Sequence, residues 1–279
     1  MPTLPFKQVN VFSADALLGN PLAVVLDAAG LEEARMAAFA RWTNLSETVF
    51  LLPPTDPRAD YRVRIFTTLE ELPFAGHPTL GSCHAWLQHG GVPQGEDVIQ
   101  QCGIGLVRIR RSGTGLAFLA PPLLRAGPLE GALLARVHRG LGLPADAVLA
   151  ARWVDNGTGW LALRLRDRAT VLALAPDPAQ LQGLKIGVFA ACADGDDCDA
   201  QFEVRAFIPG DGAPEDPATG SLNAGIARWL LEEGQAPDRY VISQGTVLGR
   251  AGRLRVERIG EGLWIGGDCV TCIEGTATL

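Results

Sequence analysis

Short β-rich runs, some alternating apolar with polar residues and others apolar throughout, recur along most of this chain. In the first half, QVNVF, PLAVVLD, ETVFLLP, YRVRIFTT, LVRIRR and GLAFLAP read as strands bounded by Gly, Pro, Asp and Asn. The second half offers WLALRLRD, IGVFAA, FEVRAFI, YVIS, RLRVERI and GLWIGG. Helical spacing is rarer, and LEEARMAAFARW and LEGALLARVHRGL carry its amphipathic form. Two further segments predict helices of another kind. In residues 218–233, Leu222, Ala224, Ile226, Trp229 and Leu230 leave no clear polar face before Glu232 and Glu233, with Gly234 as C-cap. In residues 80–89, Leu80, Cys83, Ala85, Trp86 and Leu87 do the same before Gly90-Gly91. A helix apolar nearly all round must be enclosed. Each half therefore predicts a curled, mostly antiparallel sheet around one central helix.

The halves also match each other. A shift of 139 residues lays Leu22-Ala-Val-Val-Leu26 on Leu161-Ala-Leu-Arg-Leu165 and Val49-Phe50 on Val188-Phe189. The same shift lays His77-Pro78 on Asp216-Pro217 and Gly81-Ser82 on Gly220-Ser221, and Arg64-Ile-Phe66 meets Arg205-Ala-Phe207 after a two-residue slip. Matches at one offset and in one order predict an ancestral duplication. The expected fold is α+β, with two pseudo-symmetric lobes. Residues 1–125 form the first, completed by a C-terminal strand at about 268–279, and 126–267 form the second, with the boundary in the Pro/Gly-rich APPLLRAGPLEG.

Composition narrows the function. A chain of 279 residues with 47% hydrophobic and 20% charged content is long enough for two cores. A net charge of −7, with no basic stripe, excludes nucleic acid as the expected partner. The opening MPTLPFKQVNVFSADALLGNPLAVVL has no uninterrupted apolar run, so neither a signal peptide nor a membrane span is expected, and the cytoplasm is the expected location. Six cysteines at 83, 102, 192, 198, 269 and 272 suit a reducing compartment. Cys269-Val-Thr-Cys272 has no second pair at metal-like spacing and reads as structural thiols. The four histidines have no H-E-x-x-H spacing, so no metal is expected.

The two apolar helices carry the chemistry. A buried helix presents backbone N–H groups and a partial positive charge at its start. Gly76, Gly81 and Gly220 would let backbone approach a ligand closely, and Thr79, Ser82, Thr219 and Ser221 would add hydroxyls. Helix capping by the same Ser and Thr is the plain alternative. Two copies, each led by an ionisable residue before proline, favour a ligand site between the lobes. No P-loop spacing is present, so a small carboxylate fits better than a nucleotide.

GNPLAVVL, NLSETVFLLP, RIFTTLEELPFAGHPTLGS and DPATGS together resemble the phenazine-biosynthesis (PhzF-like) isomerase family. The resemblance implies the diaminopimelate-epimerase fold, an active site in the cleft between two similar lobes, a cofactor-free proton shift and a homodimer. Carried over motif by motif, it implies that Glu47 in NLSETVF is the general acid/base. His77 in FAGHPT and Asp216 in DPATGS join it, with Ser221 as carboxylate ligand and Asn20, Ser46, Gly76, Gly81, Thr219 and Gly220 in the substrate-binding set. Two features depart from the pattern: Asn10 stands where the family often has aspartate, and Cys83-His84 is an unexpected pair.

The residues support the chemistry without the family. Moving a proton within a carbon skeleton needs a group that takes it from one carbon and returns it to another, which a carboxylate in an apolar cleft can do. Glu47 would project from the start of the buried strand TVFLLP, and His77 and Asp216 would face each other across the cleft. Plainer readings make Glu47 an edge-strand carboxylate, His77 a turn brace and Asp216 a helix cap. Besides the isomerase, two functions compete. A two-thiol epimerase needs a cysteine at each helix start, where this chain has Leu80-Gly81 and Thr219-Gly220, with no cysteine between 199 and 268. The other is a non-catalytic protein that binds small carboxylates.

Overall fold

The computed structural model describes all residues except 113–114 and 211–213. Strand β1 (Thr3–Val11) pairs antiparallel with β2 (Asn20–Val25), and β2 pairs parallel with β3 (Thr48–Leu52). Between them crosses α1 (Glu33–Thr43), which buries Met36 and Ala40. Strand β4 (Tyr61–Phe66) lies antiparallel to β3 and takes two further partners, the short antiparallel β5 (Glu71–Leu72) and the parallel β6 (Val98–Cys102). Helix α2 (Gly76–Gln88) joins β5 to β6, and β7 (Gly105–Ser112) and β8 (Gly115–Leu119) continue antiparallel.

Residues from 120 onward repeat the series. After β9 (Arg125–Pro128) and α3 (Gly131–Leu141), β10 (Val148–Asp155) pairs antiparallel with β11 (Trp160–Leu165). The short helices α4 (Arg168–Ala173) and α5 (Pro178–Leu181) lead to β12 (Lys185–Ala191), parallel to β11. Strand β13 (Phe202–Phe207) is antiparallel to β12 and pairs with the short antiparallel β14 (Glu215–Asp216) and the parallel β15 (Arg239–Gln244). Helix α6 (Gly220–Glu232) joins β14 to β15, and β16 (Gly252–Ile259) follows antiparallel. Pairing for pairing, β10 to β16 reproduce β1 to β7. Strand β17 (Gly262–Gly267) then pairs with β8, and β18 (Cys269–Thr278) pairs with β1.

The chain divides into two compact units, Met1–Leu119 with Trp264–Leu279, and Ala120–Leu263. The sequence reading set the change at 125/126. The earlier change has a local cause, because β9 pairs with β10 and Ala120 N–H bonds the carbonyl of Leu263. Among the described residues, no helix is long and apolar enough to cross a membrane.

Both central helices are buried, α2 at nine of its 13 residues and α6 at ten of 13. Their starts correct the sequence reading. Helix α2 begins at Gly76, four residues before the predicted position, so His77 lies inside its first turn. Pro78 is no barrier there, since the first-turn N–H groups have no intrahelical acceptor to lose. Helix α6 begins at Gly220, which leaves Asp216 in β14, outside the helix. The helices therefore correspond at an offset of 144 residues, not 139, and His77 matches Ser221 instead of Asp216.

Packing confirms that register. Gly81 and Gly225 are each the sixth helical residue. A Cβ at Gly81 would stand 2.9 Å from Val11 in β1, and one at Gly225 would stand 2.4 Å from the Val154 carbonyl in β10. Gly81 is thus not at a helix start, and its bareness serves helix-on-strand contact instead of ligand approach. The residues at the helix starts are Ala75 and Thr219, so the first test position for a two-thiol enzyme is Ala75, not Leu80, and it too lacks a thiol.

Candidate active site

In the first unit the site begins with a loop. Asn10 is buried in β1, and its Nδ2 donates to the carbonyls of Ser13 and Asp15 while its Oδ1 accepts from Gly19 N–H at 2.7 Å. An aspartate there could not donate to the two carbonyls. A Cβ at Gly19 would meet the Val11 carbonyl at 2.2 Å, so the chain passes close to β1 just before Asn20 opens β2. Asn20 is fully buried, and its Nδ2 lies 3.2 Å from Nδ1 of His77. On the other side of the imidazole, Nε2 of His77 stands 3.3 Å from Oε2 of Glu47, whose side chain keeps 15% of its exposure. Glu47 directly precedes β3, which places it beside β2 and the start of α2, with half-buried Ser46 next to it. Asn20, Glu47 and His77, read separately from the sequence, come together. Burial pushes the His77 imidazole down to about 3, so it is neutral at neutral pH.

Beneath His77, Gln100 on β6 organises the first turns of α2. Its Oε1 accepts from Tyr61 OH at 2.9 Å and Ser82 Oγ at 3.0 Å, and its Nε2 donates to Thr79 Oγ1 at 3.1 Å. Ser82 and Thr79 are therefore engaged with protein groups. Gly76, the first residue of α2, is buried.

The second unit has its own version. Asp216 pairs with Ala206 across β13–β14, and its Oδ2 accepts from Thr219 Oγ1 at 2.5 Å. Gln244 on β15 binds this turn from below. Its Nε2 donates to the Asp216 carbonyl and to Thr219 Oγ1, both at 2.9 Å, and its Oε1 accepts from Thr219 N–H at 3.0 Å and Asn223 Nδ2 at 2.7 Å. Since Thr219 Oγ1 accepts from Gln244, its own proton goes to Asp216. Ser221, second in α6 after Gly220, is buried. Its Oγ accepts from Trp160 Nε1 at 3.0 Å, and its carbonyl accepts from Asn156 Nδ2 at 2.8 Å. An indole N–H only donates, so the Ser221 hydroxyl keeps its proton to offer elsewhere. Neither central helix has a side-chain cap bond at its N-cap, so Thr219 serves Asp216 instead of capping α6.

One neighbour of Asp216 holds the strand that carries it. Arg205 grips Glu215 through two bonds of 2.9 and 2.8 Å, and both are buried. The sequence reading missed Gln100, Gln244, Trp160 and this ion pair. A signal for the glutamines was present, since each half has one on the strand after its apolar helix, in DVIQQC and YVISQG. Cys83 is buried and its thiol is pushed up by burial, while His84 Nε2 lies 3.1 Å from Thr271 Oγ1. Cys272 falls at the irregular step in β18, where the register with β1 shifts between Gln8 and Val9. Among the described residues no three His, Cys, Asp or Glu side chains are grouped to hold a metal.

Comparison with known proteins agrees with this architecture. The family model described as phenazine biosynthesis-like protein (PhzC-PhzF) matches residues 9–275. The chain belongs to the phenazine biosynthesis-like family. A member from Schizosaccharomyces pombe, antisense-enhancing sequence 1, is 36% identical over 97% of both chains. The trans-2,3-dihydro-3-hydroxyanthranilate isomerase of Pseudomonas aeruginosa is 31% identical over 97% of this chain and 98% of its own. The crystal structure of a PhzF-family protein from Enterococcus faecalis superposes with a TM-score of 0.80 at 25% identity, covering 100% of both chains. A probable proline racemase from Agrobacterium radiobacter, at TM-score 0.65 and 14% identity, shares the fold alone. Membership places this chain in a family of isomerases.

Proposed function

We propose that this protein is a cofactor-independent isomerase that moves a proton on a small carboxylic acid, with Glu47 as the carrier. The observation that supports it most is the buried contact of Glu47 Oε2 with His77 Nε2 at 3.3 Å. A carboxylate beside a neutral, immobile imidazole can take a proton from one carbon and return it to another. Within the second unit, the Gly220–Ser221 start of α6, with a hydroxyl proton to donate, suits a carboxylate. Asp216, fixed by Thr219, contributes a hydrogen-bond acceptor beside it. The named activity of the Pseudomonas relative makes a dihydro-hydroxyanthranilate the first substrate to try. None of the six cysteines is in a disulfide, which suits the cytoplasm, and a homodimer is proposed from the family resemblance.

The test is turnover of trans-2,3-dihydro-3-hydroxyanthranilate and a panel of unsaturated amino acids by dialysed, chelator-treated protein. Isomerisation without any addition is expected for at least one of them. A requirement for added metal, flavin or nicotinamide contradicts the proposal, and binding without turnover across the panel favours a carboxylate-binding protein.

Ser221 provides a separate check. Ser221→Ala is expected to weaken binding of a small carboxylate such as anthranilate by about 1 kcal/mol, the value of one hydrogen bond, measured by calorimetry. Unchanged affinity places the anion elsewhere.

A further inference from the structure

The 144-residue register pairs not only the helices but also the groups that touch their second residues. His77 is second in α2 and Ser221 is second in α6. The partner of His77 is Asn20, the first residue of β2, and the partner of Ser221 is Trp160, the first residue of β11. In both units a buried side chain opening the same strand presents an N–H to the helix residue. We propose that Asn20 and Trp160 are positioning residues that fix proton direction, so that His77 accepts at Nδ1 and presents Nε2–H to Glu47, as Ser221 accepts at Oγ and presents its O–H.

Three observations carry the His77 tautomer, and only its consequence for turnover rests on the reading of Glu47 as proton carrier. Asn20 Nδ2 can only donate, so the ring nitrogen 3.2 Å away must be the lone-pair side. Glu47 Oε2 stands 3.3 Å from the other nitrogen, at ion-pair distance but without hydrogen-bond alignment, and an ionised carboxylate there repels a ring lone pair and favours N–H at Nε2. The third is the equivalent position in the other unit, where the indole of Trp160 leaves no choice of direction. A neutral imidazole has one proton, and both of its neighbours assign it to Nε2. The chemical consequence is asymmetric. With Nε2–H toward it, Glu47 is stabilised as a carboxylate, the form that takes a proton from carbon. With the other tautomer, Glu47 would be favoured in its protonated form and would begin the cycle unable to act as base.

The experiment is a two-bond 1H–15N correlation of uniformly 15N-labelled protein at neutral pH. The signals of His77, one of four histidines, are assigned by their loss in His77→Gln. A protonated Nε2 and an unprotonated Nδ1 are expected in the wild type. An Nδ1–H tautomer, or an imidazolium, overturns the inference. Asn20→Asp, which offers an acceptor to Nδ1, is expected to move the proton there and to lower kcat by on the order of 10² with KM within a few fold. If Asn20→Asp folds and keeps the wild-type tautomer, Asn20 does not set it; if it does not fold, the wild-type spectrum still decides. Turnover surviving in Glu47→Gln while the tautomer is as stated defeats the proton-carrier reading and leaves this assignment of His77 standing.

Discussion

Replacing Glu47 with glutamine is expected to lower turnover by on the order of 10² to 10⁴ while ligand affinity stays within about tenfold, the usual contribution of a positioned acid/base. Glutamine keeps the length and planar head of the side chain, and it can still face the His77 N–H through its carbonyl oxygen. What it loses is the ability to hold a proton from the substrate. Substitutions of His77 or Asp216 are expected to behave differently and to lower both affinity and rate. Steady-state kinetics with a turned-over carboxylate, paired with calorimetric affinity, separates the two patterns. A Glu47→Gln variant with wild-type kcat contradicts the role.

Arg205→Met is expected to destabilise the protein by about 3–5 kcal/mol, because it leaves the Glu215 carboxylate buried and uncompensated. The Arg205 and Glu215 side chains keep only 4% and 8% of their exposure. The guanidinium also donates to the carbonyls of Val171, Leu172 and Leu174 at the end of α4. The first unit contains the same cross-strand pair in a wetter setting. Arg64 on β4 bonds Glu71 on β5, with side-chain exposures of 21% and 37%. Arg64→Met is therefore expected to cost about 1 kcal/mol or less. Urea unfolding of both variants measures the contrast, and equal losses contradict the burial argument. The double variant Arg205→Met/Glu215→Leu is expected to recover part of the loss, since it removes both charges while the carbonyls of Val171, Leu172 and Leu174 still lose their donor. The same pair holds β14 against β13, so loss of Arg205 should also disturb Asp216.

The strands and both central helices were legible because their signals are local. Period-two alternation marks strands, and a run such as Leu222 to Leu230 without a polar face marks an enclosed helix. The repeat was legible as well, but its register was not. His77-Pro78 and Asp216-Pro217 look alike, yet one lies inside a helix and the other in a two-residue strand. Proline punctuates a chain in either place, so the dipeptide cannot distinguish them. What fixes the register is Gly81 against Val11 and Gly225 against Val154, contacts between residues far apart in sequence. The same limit hid Gln100, Gln244 and Trp160. Each lies on a strand remote from the helix residue that it binds; the repeated glutamines were visible after each apolar helix, but not which helix residues they bind, and Trp160 carried no sign at all. Asn20, Glu47 and His77 were found through motifs, but their grouping needed β2, β3 and α2 side by side. The Gly81 assignment failed for the complementary reason, since a bare backbone serves ligand approach and tight packing equally well.

Hydrogen–deuterium exchange into the substrate tests the central claim most directly. Wild-type protein and Glu47→Gln are incubated in deuterated buffer with the carboxylic acid that turns over, and loss of the carbon-bound proton is followed by NMR. The account predicts deuterium entering the wild-type reaction at the carbons that exchange the proton, and exchange in Glu47→Gln reduced by the same factor as turnover. Exchange at the wild-type rate in Glu47→Gln would contradict it and transfer the role of base to another group.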